Sequence, residues 1–323
     1  MVDRPNKPTA IPVGSSTAVP APQVDISSDN SSVTATLPSG DSVTVLLFGA
    51  TVTSWKSAGG KKENLWLSEK AILDGSKPVR GGIPLVFPVF GPPPSDHATS
   101  SLPQHGFARN SRWEFLGKST SESAGKGSAG DDSVTLDFGL GSSNLSDSAK
   151  QAWPFNFGLV YSVTLVKDVL TTNMTVRNEG TKPFECQVLF HSYLKVDDIA
   201  NTTVSGLDSI EYVDKVNGAS TQTETNKAVT LTGETDRVYK ALKPEAKVVV
   251  KENGKPLYEV GRDNLDDVVV WNPWAEKAGG MGDFAPKDGY KQMICIESGA
   301  VSGWQKLDGG DSFEGAQIIK SVL

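Results

Sequence analysis

Histidine is scarce in this 323-residue chain, which has three, at His97, His105 and His191. Cysteine is scarcer, with Cys186 and Cys295 alone. Two thiols cannot staple a chain of this length, so a disulfide framework is excluded and free thiols in a reduced compartment are expected. Positive charge is the minority sign: 31 Lys and Arg against 38 Asp and Glu leave a net charge of -7. That balance lacks the basic face a nonspecific nucleic-acid binder needs. It leaves room for a small phosphorylated ligand, because a few clustered Arg residues create a local positive pocket. No apolar run approaches the ~18 residues of a membrane-spanning helix. The segment Met1 to Gln23 is rich in Pro, Ser and Ala and has no apolar core of the signal-peptide kind. The expectation is a cytoplasmic monomer with no nucleic-acid and no membrane partner. Several chemical signatures are also missing: no GxGxxG opening a helix, no GxxxxGK[ST], no HExxH and no GxSxG. His105 and His191 could bind a metal with distant carboxylates, but nothing in the spacing asks for it.

What is present reads as strands. Gly 32 and Pro 19 suit a chain of strands and turns. Val43, Val45 and Leu47 alternate with Thr44, Leu46 and Phe48, the period of two of a pleated strand. Leu159, Tyr161, Val163 and Leu165 alternate with Val160, Ser162 and Thr164. Lys167-Asp168 turns the chain, and Thr172, Met174 and Val176 alternate on the way back, which predicts an antiparallel hairpin. Further strands are predicted at 113–116, 134–138, 184–196, 247–251, 268–271 and 293–297. The best helical candidate is the short stretch 146–152. Ser119 to Asp132, full of Ser, Gly and charge, reads as a mobile hairpin loop. The predicted fold class is all-β: a large antiparallel β-sandwich with few short helices. Residues 1–32 are expected to be a disordered tail and lead-in, and 33–323 a single domain.

Candidate chemistry is confined to a few places. His97 follows Pro92-Pro93-Pro94 in a polar loop and is expected to be a solvent-exposed bystander. His105 sits in Leu102-Pro103-Gln104-His105-Gly106-Phe107-Ala108-Arg109-Asn110, where a structural role is as natural as a functional one. His191 lies in Val188-Leu189-Phe190-His191-Ser192-Tyr193-Leu194, on one face with Gln187, Leu189 and Tyr193. Such a histidine is commonly a satisfied core residue; its functional role would be a general acid, since imidazole titrates nearest neutral pH. Glu297 ends the apolar run Met293-Ile294-Cys295-Ile296. It must be paired or must face a polar cleft, because burying a bare carboxylate is expensive, and desolvation would raise its basicity. Arg80 precedes Gly81-Gly82-Ile83-Pro84, glycines that either admit a ligand to the backbone or make a turn. Arg109 and Arg112 add guanidinium groups, whose forked donors suit phosphate.

Taken in order, these segments resemble the signatures of the aldose 1-epimerase (galactose mutarotase-like) superfamily. The matching stretches are Arg80-Gly81-Gly82-Ile83-Pro84 with Phe87-Pro88-Val89-Phe90-Gly91, Gln104-His105-Gly106-Phe107-Ala108-Arg109, Trp153-Pro154-Phe155, Phe190 to Leu194, Gly233 to Tyr239, and Glu297-Ser298-Gly299. Leu102 to Arg112, Val270-Trp271-Asn272-Pro273-Trp274 and Gly289 to Glu297 resemble its glucose-6-phosphate 1-epimerase branch. The resemblance runs from about Val33 to the C-terminus. It implies a supersandwich with an open sugar cleft across one sheet, His191 as general acid and Glu297 as general base. It further implies Arg80, Gln104, His105, Arg109 and Asp236 around a hexose 6-phosphate, with no cofactor and no metal. Arg80 and Arg109 would clamp the phosphate. A neutral aldose mutarotase, a non-catalytic sugar-phosphate binder and a glycoside hydrolase or lyase pairing Glu297 with Asp236 are the rival readings.

Overall fold

The computed structural model describes residues 21–121 and 133–322. Three antiparallel sheets of five, nine and eight strands account for nearly all of the regular structure. Among the described residues there are two α-helices, both short: Asp147–Ala152 and Trp274–Gly280. The first is capped by Ser146, whose side chain accepts from Ala149 N–H, an N-cap bond of the usual kind. Among the described residues no helix is long and apolar enough to cross a membrane.

The predicted hairpin lies inside the nine-stranded sheet, beside its central strand Ser312–Ser321. Phe157–Val166 pairs with Val169–Asn178 from Phe157↔Asn178 to Val166↔Val169. Leu159, Tyr161, Val163 and Leu165 are buried, as are Leu170, Met174 and Val176. Because side chains alternate, all of these lie on one face, and that face must be covered. It is covered by the eight-stranded sheet and by the N-terminal sheet, Gln23–Glu63, so that one apolar core joins residues of all three. The order across the eight-stranded sheet is Ser220–Thr223, Glu211–Asp214, Thr235–Tyr239, Asp267–Asn272, Met293–Leu307, Phe184–Phe190 and Leu85–Val86, with Tyr193–Lys195 also beside Met293–Leu307.

The outer face of that eight-stranded sheet positions the site. Along Met293–Leu307, Ile294 and Ile296 face the common core, while Met293 and Cys295 belong to a second cluster with Trp66, Leu189, Tyr193, Val238 and Trp271. Both faces are covered there, which is why the segment reads as a continuous apolar run rather than as an alternation. Leu189 and Tyr193 share that outer face, so the parity that places His191 with them holds.

Three expectations are corrected. The sheet starts before Val33: Gln23–Ile26 pairs with Ser32–Thr36. Its side chains are mostly exposed, so backbone pairing rather than an apolar pattern holds it. Of the expected loop Ser119 to Asp132, Ser119–Ser121 continue a strand registered with Ser133–Thr135; 122–132, like residues 1–20 of the expected tail, lie outside the described residues. His97 is no bystander. Its Nε2 lies 3.1 Å from Glu185 Oε2 and its ring stacks on Trp304 with centroids 3.7 Å apart, so the polar loop is anchored to the sheet.

Candidate active site

The separate sequence segments become one surface through backbone hydrogen bonds. His191 N–H donates to Pro84 O (3.0 Å), Tyr193 N–H to Gly82 O (2.9 Å) and Ile296 N–H to Ser192 O (3.2 Å). The Arg80–Pro84 segment, the His191 turn and the Glu297 strand are thereby neighbours. The second segment docks on the first: Phe107 N–H donates to Phe87 O at 3.0 Å and His105 N–H to Gly91 O at 3.0 Å. Two glycines make these approaches possible. A Cβ on Gly82 (φ +67) would stand 2.1 Å from Val52 O, and one on Gly106 (φ +71) 2.1 Å from Phe87 O. These glycines therefore serve chain-to-chain contact, and Gly82 does not open the backbone to a ligand. Ser192, between the two site positions, is tied through Gln317 to the nine-stranded sheet, with Gln317 Nε2 donating to its hydroxyl at 2.8 Å.

His191 and Glu297 form the floor. Their relative exposures are 9% and 1%, and His191 Nδ1 lies 3.3 Å from Glu297 Oε1. The contact lacks hydrogen-bond geometry, and both His191 Nδ1 and Glu297 Oε2 are buried without a hydrogen-bond partner. Buried polar atoms are nearly always satisfied, so two unsatisfied ones side by side mark a place built for something else to bind. The imidazole is held by stacking on Tyr193 (4.8 Å between centroids, 11° between planes) and by Trp271 edge-on at 5.8 Å. His105 stands 6.0 Å away, also edge-on. Donor atoms of His191, Cys295 and Glu297 all lie within 4.8 Å of one another. Burial holds the Cys295 thiol well above its ordinary value, which opposes the thiolate that a soft metal requires.

The rim is polar. Arg80 pairs with Asp283 (Nη2 to Oδ2, 3.2 Å) and Nη1 donates to the Tyr193 hydroxyl at 3.3 Å. Arg109 Nη2 donates to Gln104 O at 3.0 Å, while its Nε is buried with no partner. Gln104 Nε2 lies 3.3 Å from His105 Nε2. His105 Nδ1 accepts from Gly91 N–H at 3.1 Å, so its neutral ring carries the proton on Nε2. Asp236 reaches the same face from Thr235–Tyr239, where it is registered with Trp271, itself opposite Cys295. The seven residues that the family resemblance implies for the site are thus gathered on one side of one sheet, while Arg112 lies elsewhere.

Burial dominates the electrostatics. Desolvation raises Glu297 well above the usual carboxylate range, and Asp236 adds to this while Lys215 and Arg109 oppose it. Desolvation also lowers His191 well below the usual imidazole value, helped by His105, Arg109 and Arg80. His105 is pushed down to about 3 by burial first and then by Arg109, Lys215 and Arg80. Mutual attraction alone would make the pair an ion pair, Glu297 and His191 both charged. Desolvation opposes it, favouring the neutral form of each group.

Sequence reasoning did not find Asp283, Tyr193, Cys295 or Lys215 as site residues. Tyr193 and Cys295 could have been read from period-two parity with His191 and Glu297. Asp283 and Lys215 arrive from irregular segments and carry no local signal. A cavity of about 730 Å³ lies elsewhere, lined by Asp29, Thr44, Phe48, Leu73 and Arg112 among others. None of the seven residues borders it.

Proton exchange with a bound ligand is the chemistry these groups can perform, and they stand on a sheet of a large antiparallel β-sandwich. The sequence profile of the family described as aldose 1-epimerase matches residues 31–320. A relative from Escherichia coli (strain K12), described as "Putative glucose-6-phosphate 1-epimerase", is 37% identical over 262 residues, 81% of this chain and 80% of its own. One from Cenchrus ciliaris with the same description is 32% identical over 281 residues, 86% of this chain and 80% of its own. A crystal structure from Salmonella typhimurium, described as a "putative mutarotase", superposes with a TM-score of 0.76 at 30% identity, over 94% of this chain and 95% of that one. The chain belongs to the aldose 1-epimerase family: it is a carbohydrate epimerase with mutarotase activity.

Proposed function

We propose that the protein interconverts the α and β anomers of a hexose 6-phosphate, with D-glucose 6-phosphate as substrate, by acid–base ring opening and closure. The observation that carries the acid–base part is the buried His191–Glu297 pair with its two unpartnered atoms. The phosphate part is supported by Arg109, whose buried Nε has no partner, by Arg80 beside it, and by the descriptions of the relatives at 37% and 32% identity.

Glu297 takes the proton of the C1 hydroxyl, and His191 delivers one to the ring oxygen as the C1–O5 bond breaks. The hydroxyl becomes the aldehyde and O5 becomes a hydroxyl. Rotation about C1–C2 presents the other face, and the two groups exchange roles as the ring closes. Each positioned acid or base contributes typically ~10²–10⁴-fold. No electron is transferred, so the reaction calls for no cofactor. Asp236 accepts from sugar hydroxyls and fixes the ring, with Gln104 and His105 lining the basin. The phosphate has a second task. Arg80 and Arg109 help to hold His191 neutral. A phosphate close to two negative charges at neutral pH (second pKa ~6) offsets both guanidiniums, so binding itself favours the imidazolium that the ring-opening step uses.

The same reading takes the chain from Gln23 onward as one catalytic unit, acting as a cytoplasmic monomer on a small-molecule substrate. Its two cysteines are free and buried, which suits a reducing compartment. One observation favours a neutral aldose instead: Asp283 already compensates Arg80. Two-dimensional exchange NMR decides between them. With wild type, cross-peaks between α and β H1 are expected for glucose 6-phosphate well above buffer and above glucose, and are expected to vanish in His191→Ala. Equal acceleration of glucose would establish the neutral-sugar reading. Phosphate resonances that shift on binding without any acceleration would establish a sugar-phosphate binder.

A further inference from the structure

Lys215 belongs to none of the sequence signatures, yet among the described residues it is a cation of this basin without a salt-bridge partner, acted on by Asp236 and Glu297 at longer range. Its backbone N–H donates to Asp236 O at 2.8 Å, continuing the pairing of Glu211–Asp214 with Thr235–Tyr239. Lys215 therefore stands beside Asp236. The turn behind it is held by Asp214, whose Oδ1 accepts from Val216 N–H and Asn217 N–H, both at 3.1 Å. The residue as a whole is exposed, but its ammonium lies over the Phe90 ring, with Nζ 3.8 Å from the centroid. Phe90 is fixed by its N–H donating to Gln187 Oε1 at 2.9 Å, and its ring is 5.4 Å from His105. The side chain thus reaches from the Asp236 side of the basin to the His105 side. Among the described residues no carboxylate lies within 4.0 Å of Nζ, whereas Lys277 pairs with Glu234 at 2.7 Å and Arg80 with Asp283 at 3.2 Å. A cation–π contact leaves the three N–H donors of an ammonium largely unspent.

The order across the sheet says what those donors meet. Asp236 is opposite Trp271, and Trp271 opposite Cys295, two residues before Glu297. His191 and Tyr193 follow on the far side, and Tyr193 carries Arg80. With C1 at Glu297 and O5 at His191, C5 follows O5 in the ring and carries C6 and its phosphate toward Arg80 and Arg109. From C1 the ring runs the other way, through C2 and C3, toward Asp236 and Lys215. We infer that Lys215 is a specificity-determining residue whose ammonium donates to the C2 or C3 hydroxyl, completing with Asp236 a donor–acceptor pair for that end of the sugar. This rests on the hexose 6-phosphate reading above. Burial lowers the amine from its ordinary value, against the pull of Asp236 and Glu297, as suits a cation partly withdrawn from water.

The test is Lys215→Met, which keeps the stem over Phe90 and removes the charge, measured on glucose 6-phosphate and its 2-deoxy and 3-deoxy forms. Loss of a hydrogen bond from a charged donor predicts a KM for glucose 6-phosphate raised about tenfold or more, with kcat little changed and partial rescue by Lys215→Arg. For one of the two deoxy sugars, wild type and Lys215→Met should have the same KM. Inhibition by inorganic phosphate should be unaltered. An equal penalty on all three sugars, or weaker phosphate inhibition in step with KM, overturns the inference, the latter making Lys215 a third phosphate cation. Failure of the parent reading looks different: wild type itself then fails to accelerate glucose 6-phosphate. The same comparison is in that case made on glucose and its 2-deoxy and 3-deoxy forms and judged by the same criterion.

Discussion

Glu297→Gln separates chemistry from stability at a single position. The side chain is 2% exposed, its Oε2 has no partner and its nearest counter-group is His191 at 3.3 Å. Gln keeps the volume and removes the ionisable proton. Loss of a positioned base should lower kcat about 10²–10⁴-fold, or roughly 3–5 kcal/mol at ~1.36 kcal/mol per factor of ten. Stability should move the other way. Burial holds the folded Glu297 well above its ordinary value, while the unfolded chain loses that proton near ~4.3. Above that pH the fold binds more protons than the unfolded chain, so this residue's contribution to stability falls as pH rises, by up to ~1.4 kcal/mol per unit, until the folded value is passed. Gln removes that loss. Thermal unfolding at pH 5 and pH 8, alongside exchange NMR, should show a near-inactive variant whose Tm relative to wild type improves toward pH 8. A Tm several degrees below wild type at pH 8, or exchange within about threefold of wild type (under ~1 kcal/mol), would refute the assignment and make the carboxylate a structural ion-pair partner.

Three further outcomes follow from particular contacts. Arg109→Ala should raise the KM for glucose 6-phosphate and the inhibition constant of inorganic phosphate roughly 10–100-fold, the worth of a charge-assisted contact, while leaving the affinity for a neutral hexose within a factor of about three, under ~1 kcal/mol. The folded His105 and His191 refuse a proton that the unfolded chain accepts near ~6.5, His105 down to about 3. Their contribution is therefore full above that pH and falls as pH drops; His105→Gln should flatten the loss seen by urea unfolding between pH 7 and pH 5. Gly106→Ala places a Cβ 2.1 Å from Phe87 O at φ +71. Overpacking and a left-handed backbone together should cost about 2–4 kcal/mol, read as a lower urea midpoint with an unchanged slope.

Much of this protein was legible before any coordinate. The alternation of Leu159, Tyr161, Val163 and Leu165, the turn at Lys167-Asp168 and the return through Met174 and Val176 determine a hairpin, because a pleated strand turns every second side chain to the same face. The same parity puts His191 with Tyr193 and Glu297 with Cys295, so the face each candidate occupies was implied, and the ordered motifs pointed to the family. The edge strand Gln23–Ile26 was not legible, because its side chains are mostly exposed and backbone pairing alone sustains it. The role of Gly81-Gly82 stood open, since a glycine that admits a ligand and one that admits another chain look identical in one dimension. Only the tertiary structure brought His191 within 3.3 Å of Glu297, far away in sequence, set Asp283 against Arg80 and laid the Lys215 ammonium over Phe90. The balance of charge in the basin was decided there too. Desolvation depends on how completely water is excluded from the floor, which is a property of the assembled sheets and of no segment alone.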